Sequence, residues 1–385
     1  MTTVELRLER VAHGGYVVGH ADGKVLFVTG GLPGELVLAE VTETGSRFDR
    51  AKVVRVLEPS AGRVAPPCPV ADRCGGCDWQ HADQATQLAL KGAVVAEQLE
   101  RLAGIAWGGE VEAAPGGLTG WRTRVRYAVD GAGRVGFRGR RSHEVVPLPD
   151  QGCLIAAPGP SVAELGRVAQ VGRDLEVTVA DDRTVVAVAD GTRREAPVRE
   201  RVRGRTFEVE AGGFWQVHPH SAEILTGAVL DGLRPSVGER ALDLYCGVGL
   251  FAGALVDAGC VVLGAELSRG AVLLARRNVP EATFVAGALE RGHRDLPDWA
   301  DLVVLDPPRN GAGAGVVRAI VERRPRAVAY VACDPAALAR DLATFAGMGY
   351  AATSIRAFDL FPMTHHVECV AILHPRPVGA GQPLD

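Results

Sequence analysis

The sequence predicts an α/β fold in three parts: a small N-terminal β-barrel, a central α+β segment, and a Rossmann-like parallel sheet towards the C-terminus. Three observations carry this. Short alternating strands with glycine turns fill the first 60 residues, a cysteine motif and an arginine-rich stretch fill the middle, and apolar strands alternate with helical segments after about residue 206. The expected divisions are 1–60, 61–205 and 206–375, with a frayed tail over 376–385 that holds Pro377, Gly379, Gly381 and Pro383.

In the first part, Val25, Phe27, Leu36, Val37, Val41, Val53, Val54 and Val56 alternate between turns at Gly14-Gly15, Gly30-Gly31, Pro33-Gly34 and Gly45, as a closed barrel of short strands requires. A Pro-rich boundary at 59–69 follows. Residues 84–102 carry a helical period, with Leu88, Val95, Leu99 and Leu102 on one side, and 121–148 return to strand alternation with Gly131 and Gly133 at a hairpin turn. From 241–244, 261–264 and 302–305, alternating with helical stretches such as 271–278, the pattern is that of βαβ units on a parallel sheet.

Composition bounds the function classes. Of 385 residues, 47% are hydrophobic and 23% charged, an ordinary globular balance. No run of ~18 apolar residues occurs and the N-terminus lacks signal-peptide character, so the expected address is the cytoplasm, with no membrane and no obligate protein partner. The formal net charge of −4 argues mildly against a polyanionic ligand, but residues 121–141 hold seven arginines and one acid. A second basic group, Arg193, Arg194, Arg199, Arg201, Arg203 and Arg205, is diluted by Glu195 and Glu200. Charge alone leaves open whether these are solvated strand faces or a polyanion-binding stripe. Eight cysteines in a chain of this length point to metal binding or catalysis rather than to a disulfide framework.

The strongest nucleotide-binding signal is the run from Asp243 through Tyr245, Gly247 and Gly249 to Ala252, where an apolar strand enters a glycine turn and then a helix. Gly247 and Gly249 let the backbone approach a ligand, and Glu266, 23 residues after Asp243, ends the next strand where an acid accepts from ribose hydroxyls. Asp306-Pro307-Pro308-Arg309 follows the strand at 302–305. Arg309 stands where amino-group methyltransferases place an aromatic residue, which turns the reading away from an exocyclic amine. Cys333, in Ala332-Cys333-Asp334-Pro335, ends another apolar strand at the same edge. A thiolate there suits addition to carbon 6 of a uracil, whose carbon 5 is too weak a nucleophile unaided. The proton on carbon 5 then needs a base, and Glu368, within an apolar stretch and two residues beyond His366, is the candidate. Cys68-x5-Cys74-x2-Cys77, completed by Cys153, offers four thiolates to zinc or to an iron–sulfur cluster, and spacing does not choose between them.

Together these motifs resemble the RNA uracil-5-methyltransferase family over nearly the whole chain. The resemblance implies a class I methyltransferase domain preceded by a TRAM barrel, the latter carried by His13-Gly14-Gly15 and by Gly30 through Glu35. It implies S-adenosylmethionine as cofactor, with Gln216, Asp243, Tyr245, Gly247, Gly249, Glu266 and Asp306 contacting cofactor or uracil, Cys333 as nucleophile and Glu368 as base. It favours a four-iron four-sulfur cluster on Cys68, Cys74, Cys77 and Cys153, and RNA contacts from Arg122, Arg124, Arg126 and Arg138. His218 and Met363 depart from the Asn and His that the family often has there. The implied product is 5-methyluridine in transfer or ribosomal RNA, made on an unpaired or flipped-out base. The cluster would be structural or RNA-shaping, because no step moves single electrons. An RNA cytosine-5-methyltransferase, which typically presents its cysteine after Thr, and an RNA chaperone without turnover are the alternatives.

Overall fold

The computed structural model describes residues 2–189, 196–287 and 296–377. Arg193, Arg194, Glu195 and most of the expected tail lie outside the described residues. A closed barrel in the order β1-β2-β3-β5-β4 is formed by β1 (Thr3–Ala12), β2 (Tyr16–Ala21), β3 (Lys24–Thr29), β4 (Leu36–Thr44) and β5 (Phe48–Glu58). Leu6, Leu8, Val17, Leu26, Val28, Val37 and Ala39 fill it; of the alternation read from the sequence Val37 points inward, whereas in β3 Leu26 and Val28 are buried in place of Val25 and Phe27.

Helix α1 (Gln84–Ala103) starts on the Asp83 side chain, which accepts from Thr86 N at 2.8 Å, and stops at Gly104 with φ 64°. Helix α1 and the short strand β6 (Val111–Ala113) fall in the central segment by sequence, yet in space β6 extends the C-terminal sheet and α1 shares its core through Val95 and Leu99. The central sheet, in the order β11-β10-β7-β8-β9, holds β7 (Arg124–Val129), β8 (Val135–Arg138), β9 (Val145–Pro147), β10 (Leu175–Val179) and β11 (Thr184–Val188), with α2 (Val162–Val168) alongside. The β7–β8 turn forms where expected: Gly133 has φ 80°, and Asp130 Oδ1 accepts from Ala132 N and Arg134 N. The hairpin of β12 (Val198–Val202) and β13 (Arg205–Val209) leads into α3 (Ser221–Leu233).

The C-terminal unit is a sheet of eight strands, β16-β15-β14-β17-β18-β20-β19-β6. Its parallel part comprises β14 (Arg240–Leu244), β15 (Val261–Glu266), β16 (Thr283–Ala286), β17 (Leu302–Leu305) and β18 (Ala327–Ala332), linked by α4 (Leu250–Asp257), α5 (Arg269–Asn278) and α6 (Gly313–Glu322). Helix α7 (Pro335–Gly347) then leads to β19 (Tyr350–Asp359) and β20 (Glu368–Pro375), and β20 inserts antiparallel beside β18. Both faces are apolar, which is why these strands read as continuous hydrophobic runs. In β18, Ala327, Ala329 and Val331 face α3 and α4, whereas Val328 and Tyr330 face α6 and α7. No helix among the described residues is long and apolar enough to cross a membrane.

Candidate functional site

The C-terminal ends of β14, β15, β17 and β18 open into one cleft of about 1240 Å3, bordered on its far side by the central sheet and the barrel. At one end is the glycine turn. Tyr245, Gly247 and Gly249 adopt φ of 61°, 54° and 94°, bending the chain away from β14 so that α4 can start. Glu266 is fixed before any ligand arrives, since its carboxylate accepts from Gly247 N at 3.1 Å and Ser268 N at 2.8 Å. A Cβ on Gly247 would meet nothing within 4 Å, so the space above the turn is free for a ligand. Gly249 serves the turn itself: a Cβ there would stand 3.2 Å from Val279.

Asp243 lies beneath the turn, fully buried. One oxygen accepts from Ala252 N at 2.8 Å and the other has no partner, and burial pushes the carboxyl up to about 8. It holds the turn rather than reaching into the cleft. Gln216 lines the cleft beside Phe214, which is 77% exposed. These groups fit an adenosyl cofactor: a fixed acid for ribose, an open backbone turn, and an apolar ring beside it.

At the other end the sheet brings the reactive groups together. Ala332 pairs with Cys369 across β18 and β20, so Cys333, one residue past the pair, stands opposite Glu368, one residue before it. Asp306 follows β17 and lines the same pocket. Burial pushes the Cys333 thiol up to about 12, with the carboxyls of Glu368 and Asp306 adding to the effect and Arg309 opposing it. Burial likewise raises Asp306 to about 7 and holds Glu368 well above the ordinary carboxylate range, again against Arg309. Burial in the pocket as it stands therefore favours the protonated forms of Cys333 and Glu368. Arg309 is a cation that acts on both Cys333 and Glu368, a role its place after the two prolines did not announce. His366, also on the cleft, is pulled down to about 3 by burial and by His365, so it is neutral.

The basic strands meet the cleft unevenly. Arg122, Arg126 and Arg138 line it. Arg126 and Arg138 both pair with Asp174, at 3.0 Å each, which partly neutralises them. Arg124 departs from expectation. It lies under β12 with a side chain only 10% exposed and pairs with Glu200 at 3.1 Å, so it is a buried tie between two sheets rather than a free cation.

Cys68, Cys74, Cys77 and Cys153 stand just behind the cleft wall formed by Gly75, Gly76 and Asp78. All four are free and half-buried; burial, with neighbouring thiols adding to it, pushes up Cys74, Cys77 and Cys153, Cys77 to about 12. Two cations act against this, Arg140 on Cys74 and Arg122 on Cys153. Among the described residues no three His, Cys, Asp or Glu side chains stand close enough to hold a single metal ion. The cysteine loop is tied to the segment that leads into Glu368: Asp78 N and Trp79 N donate to Met363 O, and Asp78 accepts from His365 N at 3.0 Å.

The fold and the cleft define a class I methyltransferase joined to a β-barrel. The model of the tRNA (uracil-5-)-methyltransferase family matches residues 294–376. An uncharacterised RNA methyltransferase of Streptomyces avermitilis is 47% identical over 97% of this chain and 99% of its own length. One from Streptomyces coelicolor is 46% identical over 97% and 93%. Among solved structures, the Pyrococcus abyssi tRNA (uracil-54, C5)-methyltransferase, in complex with S-adenosyl-L-homocysteine, superposes with a TM-score of 0.73 over 96% of this chain and 100% of its own, at 23% identity, a likeness of fold. The chain belongs to the RNA (uracil-5-)-methyltransferase family and is an S-adenosylmethionine-dependent RNA methyltransferase.

Proposed function

We propose that this enzyme methylates carbon 5 of a uridine in transfer or ribosomal RNA through a covalent adduct on Cys333. The observation that carries the reading is the opposition of Cys333 and Glu368 across β18 and β20, with Asp306 and Arg309 in the same pocket. The Cys333 thiolate adds to carbon 6, and the electron pair of the C5–C6 bond moves towards carbon 5 and the O4 enolate. When bound, the cofactor supplies an electrophilic methyl group on a cationic sulfur, a charge that also favours the thiolate. Carbon 5 takes the methyl group, the Glu368 carboxylate removes its proton, the C6–S bond breaks and the thiolate returns. Gln216, Tyr245, Gly247 and Glu266 would hold the cofactor, with Asp243 and Gly249 shaping their turn. Arg122, Arg126 and Arg138 would lead the RNA strand to the pocket.

The same reading gives the four thiols of Cys68, Cys74, Cys77 and Cys153 an iron–sulfur cluster. What supports it is the donor set: four mutually interacting thiols from two segments, faced by Arg140 and Arg122, whose charges suit thiolates. It would fix the Asp78–Met363 connection and take no part in electron transfer. Protein purified without oxygen should carry iron and sulfide in equal amounts, and Cys74→Ala should lose both.

Incubation with labelled S-adenosylmethionine and RNA from a strain lacking the enzyme, followed by nucleoside mass spectrometry, tests the activity. The expected product is 5-methyluridine, absent with Cys333→Ala, while Glu368→Gln should accumulate a protein–RNA adduct. Appearance of 5-methylcytidine would reassign the base, and RNA binding without any methylated nucleoside would make the protein a chaperone.

A further inference from the structure

The turn between β1 and β2 leaves the barrel and reaches the catalytic pocket. Gly14 and Tyr16 line the cleft. At its start, His13 Nε2 lies 3.0 Å from Asp334 Oδ2, and Asp334 directly follows Cys333. The two oxygens of Asp334 are divided: Oδ1 accepts from Ala337 N at 2.8 Å and so caps α7, while Oδ2 is held by the barrel. The turn also touches the base side. A Cβ on Gly15, where φ is 83°, would come within 3.0 Å of His365 Cβ and 3.3 Å of Asp78 Cγ. One short loop of the N-terminal barrel is thus wedged between the segment bearing Cys333 and the segment leading to Glu368.

We propose that His13 is a positioning residue for the nucleophile: by holding Asp334 it fixes the Cys333 turn, so that the barrel contributes to the chemical step and not only to RNA capture. The inference rests on Cys333 being the nucleophile. Its physical basis is that Cys333 sits between a strand end and a helix cap, and a cap carboxylate left with one partner keeps more freedom to rotate. A loosened cap displaces the thiol from the line of approach to carbon 6, and small misplacement of an attacking group is costly in rate. Because the same barrel faces the RNA side of the cleft, RNA seated on it would bear directly on the His13–Asp334 contact.

The test uses full-length enzyme and RNA carrying 5-fluorouridine, whose carbon 5 has no proton to lose, so that the adduct on the cysteine accumulates and its rate of formation is read directly. His13→Ala should slow adduct formation about tenfold or more while changing the Kd for S-adenosylmethionine little. His13→Gln, whose side-chain amide can still donate to Asp334, should recover most of the rate. Asp334→Asn combined with His13→Ala should cost no more than Asp334→Asn alone, because the two act as one unit. If His13→Ala forms adduct at the wild-type rate and only weakens RNA binding, the histidine is an RNA contact and the inference falls, while Cys333 keeps its role. If the wild type forms no adduct, the nucleophile assignment fails and this inference fails with it.

Discussion

Three acidic groups in the pocket, Asp306, Cys333 and Glu368, are each raised by burial; Asp306 adds to the shift of the other two, and Arg309 opposes it for both. Two expectations follow from the signs. In the proposed mechanism the thiolate is the nucleophile, and the raised thiol retains its proton, so single-turnover adduct formation should rise from about pH 6 to about pH 9 in quench-flow measurements, and a flat profile would contradict the raised thiol. Asp306 has a folded-state value near 7, above its ordinary one. Its contribution to stability is therefore fully present below the ordinary carboxylate range and is lost as pH rises through about 7. Asp306→Asn, which carries no charge to bury, should stabilise the ligand-free protein at about pH 8 by on the order of 1–3 kcal/mol and much less at about pH 5, while abolishing activity. Thermal melts at the two pH values decide this.

Individual elements hold these residues through contacts distant in sequence. Asp341 of α7 accepts from Ala312 N at 2.7 Å and from the Tyr330 hydroxyl at 2.6 Å, pinning the loop that runs from Pro307 through Arg309 into α6. Lys91 of α1 is fully buried and pairs with Asp359 at 2.5 Å, two residues before Phe361, whose carbonyl also accepts from it. Motif spacing announced neither tie, since one spans 29 residues and the other 268. The glycine turn, in contrast, is local and was legible. Gly249→Ala would force a Cβ into a left-handed conformation against Val279, at a cost of ~1–2 kcal/mol. It should weaken S-adenosylmethionine binding in calorimetry while leaving RNA binding intact.

At the scale of the molecule, the barrel is built into the enzyme. Val11 and Leu32 of the barrel share a core with Trp79 and Ala82 of the cysteine segment and Leu90 and Val94 of α1. Leu32 is fully buried there, so Leu32→Ala should cost ~2–5 kcal/mol in denaturant unfolding and lower activity together with stability. The proposed RNA-binding stripe belongs to this scale too. Arg126→Gln should weaken RNA binding uniformly across sequences and reduce the slope of log K against log salt by about one, or by less if Asp174 already neutralises it. The barrel strands, the parallel strands β14, β15, β17 and β18, the glycine turn, Glu266, and the thiol and carboxyl at strand ends were legible in the sequence alone, because strand periodicity and turn chemistry are local and place such residues at one edge of a parallel sheet. Only the tertiary structure decided that Cys333 faces Glu368, that Arg309 is their counter-cation, that Arg124 turns inward, and that His13 reaches Asp334. Each of these depends on strand register or on packing between segments far apart in the chain, and neither leaves a periodic trace in the sequence.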